Sequence, residues 1–88
     1  MTYSVDYTKN ACKDLKKLDS QTRKLILSWI EKNLVNCSDP RIHGKALKGR
    51  LHDEWRYRVG DYRILANIQD DKILILVLKI GHRREIYD

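Results

Sequence analysis

Residues 54–80, EWRYRVGDYRILANIQDDKILILVLKI, decide the fold. Gly60-Asp61 and Asp70-Asp71 are both acceptable two-residue hairpin turns, so the stretch reads as three antiparallel strands over 54–59, 62–68 and 73–80. A two-residue turn assigns every position a partner, and side chains alternate faces along each strand. One face then carries Trp55, Tyr57, Val59, Tyr62, Ile64, Ala66, Ile68, Ile73, Ile75 and Val77, an apolar surface fit to receive helices. The other carries Arg56, Arg58, Arg63, Leu65, Asn67, Leu74, Leu76 and Leu78, a basic corner beside a leucine patch that a solitary protein should avoid. Across the first turn Val59 faces Tyr62, which sets Arg58 opposite Arg63. A like-charge pair of that kind costs stability and is best tolerated where a polyanion is bound.

Upstream of the meander, Tyr3, Val5 and Tyr7 alternate with Ser4 and Asp6 as a short strand. Thr8 is placed to cap a helix bearing Ala11, Leu15 and Leu18 on one face. Asp19 or Ser20 caps a second, whose stripe of Leu27, Ile30 and Leu34 is widened by Ile26 and Trp29 and ends by Asn36 to Pro40. Residues 41–51 are basic, punctuated by Gly44 and Gly49, and read as a loop. The expected class is α+β, a two-helix hairpin on one face of a mostly antiparallel four-stranded sheet in the order β-α-α-β-β-β. With no repeat, linker or low-complexity tract, residues 1–88 are expected to form one domain.

Eighteen Lys and Arg against twelve Asp and Glu leave a net charge of +6, which suits an acidic partner. No run is long enough to span a bilayer and no signal-peptide layout opens the chain, so no membrane partner and a cytoplasmic address are expected. Cys12 and Cys37 form no motif, and His43, His52 and His82 lack metal-ligand spacing; no metal and no cofactor is expected. After the last strand, Gly81-His82-Arg83-Arg84-Glu85-Ile86-Tyr87 brings an imidazole, two guanidiniums and a phenol to one strand end, with phosphate of a nucleic acid as the leading ligand.

The element order, with Lys-Ala-Leu-Lys-Gly before Trp-Arg-Tyr-Arg-Val, then Asp-Tyr-Arg-Ile and a terminal Gly-His-Arg-Arg-Glu-Ile-Tyr, resembles the RelE toxins of bacterial toxin–antitoxin modules over nearly the whole chain. That resemblance implies a ribosome-dependent endoribonuclease that enters the A site and cuts mRNA within the codon. It also implies a cognate RelB-like antitoxin, and operator DNA contacted only through the toxin–antitoxin complex. The implied chemistry is metal-free attack of a ribose 2′-hydroxyl on the adjacent phosphate.

Arg58, Arg63 and Arg83 are the candidates for stabilising charge on the reacting phosphate, because a guanidinium presents a planar donor fork and stays charged. Lys45, Lys48, Arg50, Arg56 and Arg84 are candidates for contacts to flanking phosphates or ribosomal RNA, although a solvated polar surface is the favoured account of each. Family members often carry lysines where Arg56 and Arg58 stand, and arginine does not readily release its proton. Acid and base duties then pass to His82, with Tyr87 orienting, stacking or assisting, and Glu85 as a weaker base. Leu65, Leu74 and Leu76 are expected to lie under an antitoxin segment. Two other classes stay open: a related ParE-type toxin that binds DNA gyrase, and a non-catalytic nucleic-acid-binding module.

Overall fold

The computed structural model describes residues 1–46 and 54–84. The elements are β1 (Ser4–Tyr7), α1 (Lys9–Lys17), α2 (Ser20–Asn33), β2 (Lys45–Ala46), β3 (Glu54–Val59), β4 (Tyr62–Gln69), a 3₁₀ turn at Asp70–Lys72 and β5 (Leu74–His82). Both helices start where short polar side chains can serve the first orphan amides. Thr8 accepts from the Ala11 amide at 3.1 Å, and Asp19 accepts from the Thr22 amide at 3.3 Å. Arg23 closes the corner between the helices, donating Nε to the Leu15 carbonyl and Nη2 to the Leu18 carbonyl, each at 2.8 Å. It thereby caps the carbonyl end of α1.

The strands form one sheet in the order β1-β5-β4-β3-β2, antiparallel except for the parallel pair β1–β5. The fifth strand is a correction: Lys45–Ala46, read from sequence as loop, pairs with Arg56 and Trp55 on the edge of β3. Two residues carry no periodicity, so no pattern announced them. The chain reaches this edge through Gly44 at φ +79°, where a Cβ would lie 2.2 Å from the Arg56 carbonyl oxygen, so glycine alone permits the approach.

Glycine also makes the β3–β4 turn. Gly60 has φ +59° while Asp61 stays on the negative side, the sign pattern of a type II′ hairpin, and Val59 pairs with Tyr62 as expected. The second turn differs from expectation. Asp70 and Asp71 begin a 3₁₀ turn that runs to Lys72, with Ile73 left-handed at φ 52°, and pairing resumes only at Gln69↔Leu74. Ile73 is thus a turn residue and not the start of β5. Because the loop grows by two residues, the parity of the strand is kept and Ile75 and Val77 still face the helices.

A second irregularity does change parity. Between Leu65 and Ala66 the partners jump from Lys79 to Val77, so Leu78 is an extra residue in β5, a β-bulge. Beyond it Ile80 turns into the core at 2% exposure while Lys79 faces out. The free edge of β5 here is served by the helix layer. Thr8 donates its hydroxyl to the Leu78 carbonyl at 2.9 Å, and the Ile80 amide donates to Asp14 Oδ2 at 2.9 Å.

The core between sheet and helices is Ala11, Ile26, Ile30 and Leu34 against Tyr57, Val59, Ile64, Ala66, Ile75, Val77 and Ile80. Tyr57 is fully buried and donates its hydroxyl to the Pro40 carbonyl at 2.6 Å. Burial pushes its phenol far above the ordinary tyrosine range, with nearby Cys37 adding to the rise. Where the folded state holds a proton that the unfolded state releases, stability falls as pH rises. The fold should therefore be unaffected by this group below about pH 10, the usual tyrosine value, and lose up to about 1.4 kcal/mol per pH unit above it. Urea titrations of Tyr57→Phe should show that alkaline slope removed, at a cost near neutrality of about 1–3 kcal/mol from the orphaned Pro40 carbonyl.

Candidate functional site

Register brings the basic side chains of three strands to one corner of the sheet, on the face away from the helices. Arg58 lies opposite Arg63, Arg56 opposite Leu65, and Lys45 opposite Arg56. In β5 the partner of Arg63 is Gly81, which puts no side chain of its own beside the guanidinium. The chain leaving β5 returns to the hairpin tip, where the Arg83 amide donates to the Asp61 carbonyl at 2.8 Å. Arg83 is thus held close enough for its charge to act on Arg63.

Arg63 is the most constrained of these groups. Its Nε is buried and, among the described residues, has no hydrogen-bond partner. Burial, then the charges of Arg58, Arg56 and Arg83, push its proton affinity below the ordinary arginine range, and Asp61 opposes them only in part. Among the described residues no carboxylate stands within salt-bridge distance of Arg58, Arg63 or Arg83; the ion pair described is Arg41–Asp70, at the far turn. A half-buried donor fork among like charges is arranged for an anion brought from outside. Alongside lies a shallow cleft of about 200 Å³ lined by Gly44, Lys45, Arg56 and Arg58. Arg56 is itself buried, at 8% exposure.

The imidazole does not join this group. His82 pairs with Tyr62 on the helix side of the sheet, and the two rings meet edge to face with centroids 5.4 Å apart. Without the Leu78 bulge, strict alternation from Val77 would have put His82 on the arginine face. The bulge turns it to the other face, which corrects the expected gathering of imidazole and guanidiniums at one site. Its Nδ1 accepts from the Arg84 amide at 3.3 Å, and Arg84 itself is exposed. Tyr87, Lys48 and Arg50, three further candidates, lie outside the described residues.

Leu65, Leu74 and Leu76 sit on the arginine face, half-buried, next to the basic corner. Asn67 and Gln69 lie between them, with the Gln69 amide donating to the Asn67 oxygen at 2.8 Å. The functional positions that sequence reasoning passed over are glycines, Gly44 and Gly81. A glycine interrupting an apolar strand is itself a signal of close approach, and Gly81 carried it. Among the described residues no cluster of His, Cys, Asp and Glu could hold a metal ion, and no helix is long and apolar enough to cross a membrane.

Comparison with known proteins agrees with this architecture. Residues 5–87 match the family model described as the ParE toxin of the type II toxin–antitoxin system parDE. Toxin RelE3 of Methanocaldococcus jannaschii is 36% identical over 84 residues, covering 93% of this chain and 92% of that protein. The mRNA interferase toxin RelE of Escherichia coli is 29% identical over 92 residues, covering 99% of this chain and 92% of that one. In the crystal structure of the toxin–antitoxin complex RelBE2 from Mycobacterium tuberculosis, the matching chain superposes with a TM-score of 0.83 at 29% identity, covering 94% of this chain and 93% of that one. The chain therefore belongs to the ParE toxin family of type II toxin–antitoxin systems, within the RelE/ParE superfamily and of RelE type.

Proposed function

We propose that residues 1–88 form one toxin domain of a RelBE-type module, acting in the cytoplasm as a ribosome-dependent endoribonuclease that cuts mRNA in the A site. The observation that carries this reading is Arg63, half-buried with an Nε that has no partner among the described residues, and set directly opposite Arg58. In the reaction the ribose 2′-oxygen bonds to the neighbouring phosphorus and the P–O5′ bond breaks. A cyclic phosphate and a 5′-hydroxyl result. Negative charge accumulates on the non-bridging oxygens at the transition state, where the opposed guanidiniums of Arg58 and Arg63, with Arg83 beside them, are already in place to hold it. Lys45 and Arg56 fit the phosphates on either side.

Proton transfer needs a group that titrates, which arginine does not. His82 is on the other face, so the phenol of Tyr87 and the carboxylate of Glu85 are the remaining candidates for taking the 2′-proton or supplying the one that leaves with O5′. The E. coli relative is an mRNA interferase by name, which supports RNA cleavage, and the structural neighbours solved as RelB–RelE complexes support a cognate antitoxin as partner. A second reading, a gyrase-directed toxin, is favoured by the ParE description of the family model.

Purified ribosomes programmed with a defined messenger decide between them. Primer extension should map cuts within the A-site codon that appear only when ribosomes are present and persist in chelator. Inhibition of gyrase supercoiling without cleavage would establish the second reading. Neither activity would leave a nucleic-acid-binding module.

A further inference from the structure

Behind the arginine corner, on the helix side of the same strand ends, lies a second concavity of about 270 Å³. Its walls include Asp14 and Lys17 from α1, Tyr62 from β4, and Ile80, Gly81 and His82 from β5. The volume falls just under the ~300–1,000 Å³ usual for small-molecule sites, enough for a single planar ring system and little more. The edge-to-face packing of Tyr62 and His82 leaves the edge-on ring with neither face covered by its partner. Polar groups of both kinds are available. Asp14 gives one carboxylate oxygen to the Ile80 amide and has the other to offer, while the Arg84 amide on Nδ1 puts the proton of a neutral His82 on Nε2, a donor.

The approach to this concavity is cationic. Lys9, Lys13, Lys16 and Lys17 are all exposed on α1, at i, i+4, i+7 and i+8, so they line one side of the helix. Asp14, the acidic residue of that helix, is already engaged with β5, and among the described residues no lysine of the row has a carboxylate within salt-bridge distance. Like charges at i, i+4 destabilise a helix slightly, and here they run toward Lys17 at the mouth of the cavity. A ring-sized concavity walled by an aromatic pair at the end of a lysine row has the two parts by which proteins take single-stranded nucleic acid, a stacking surface and a cationic track.

We propose that this cavity is a nucleobase pocket for the messenger, holding a nucleotide outside the scissile pair while the α1 lysines carry its phosphates. The inference rests on the RNA-cleaving reading for the identity of the strand. Topology makes the link: Tyr62 and Arg63 are consecutive in β4, as are Gly81 and His82 in β5, so alternate side chains of the same strand ends build the two sites back to back. RNA gripped by Arg63 reaches the pocket by passing over the Gly60–Asp61 tip. Guanine fits the donors and acceptors, since its N1–H can donate to the remaining Asp14 oxygen while its O6 accepts from an imidazole N–H.

The test is titration of the ¹⁵N-labelled full chain with GMP, and in parallel with ribose 5-phosphate, followed by amide shifts. GMP should move Asp14, Leu18, Gly81 and His82 saturably, whereas ribose 5-phosphate should move only the lysine row. Lys17→Glu, an exposed change that leaves the core alone, should raise half-saturating GMP several-fold, because a reversed charge at the mouth repels the phosphate. It should also raise the messenger concentration for half-maximal cleavage with little change in maximal rate. His82→Ala should weaken GMP in the same way, with melting as the check on folding. Unmoved cavity amides, or equal shifts with GMP and ribose 5-phosphate, would overturn the pocket. Arg63→Ala separates the two readings: GMP shifts that survive it uphold the pocket whatever becomes of the clamp, and GMP shifts that vanish with it assign the ligand to the arginine face and overturn the pocket.

Discussion

Arg63→Ala should slow ribosome-dependent cleavage by roughly 100- to 1,000-fold, the loss usual for one preorganised group that meets developing charge. The melting temperature should stay level or rise. Removing the side chain relieves the contact with Arg58 and removes a buried Nε that has no described partner, while Gly81 opposite has no side chain to collapse. Loss of activity without loss of stability is the signature of a group held for its ligand and not for the fold. Arg63→Lys sharpens the comparison, since an ammonium keeps the charge and loses the planar fork; it should recover only part of the rate. Full cleavage by Arg63→Ala, measured by primer extension on the same ribosomes, would remove the clamp from the mechanism.

Leu76→Lys should free the toxin from its antitoxin. Leu65, Leu74 and Leu76 share the arginine face, and a partner segment laid over them also reaches the guanidiniums, so neutralisation and cover of the patch are one event. Truncation of a central anchor costs at least about 2 kcal/mol, a weakening of roughly 30-fold or more in calorimetric titration. The folded toxin should tolerate the change, because Leu76 is only half-buried and pairs with Asp6, which a lysine would complement. Cells carrying both proteins should then die where the parent pair survives. Unchanged affinity would move the antitoxin elsewhere on the surface.

How far the sequence could be read depended on whether a local signal fixed the partner of each strand. Gly60-Asp61 is a strong turn signal, and the Arg58–Arg63 opposition followed from it directly. Asp70-Asp71 is an equally acceptable turn by composition, yet the chain runs on through Lys72 to Ile73, a β-branched residue in a left-handed conformation that composition argues against. Faces were still assigned correctly there because the error was an even number of residues. At Leu78 the shift is one residue, and everything after it changes sides; the pattern Val77, Lys79, Ile80 held the clue, since an apolar position breaks the alternation there. The placement of His82 was lost with that one residue. Asp14 and Lys17 were invisible as wall residues because their cavity is made by tertiary packing of α1 on β5, which no spacing along the chain encodes.

The parallel pairing of β1 with β5 sets when this molecule can become dangerous. Ser4 finds its partner in Leu74, so the opening strand waits for a segment synthesised 70 residues later. At ~5–20 residues per second that delay is roughly 4–14 seconds, during which the nascent chain holds helices but not the sheet corner where the arginines converge. Gly81 and Arg83 emerge later still. On the ribosome-directed reading proposed above, the ribosome translating this message meets no assembled arginine corner until those strand ends have emerged, and an antitoxin already present can meet the toxin at its birth.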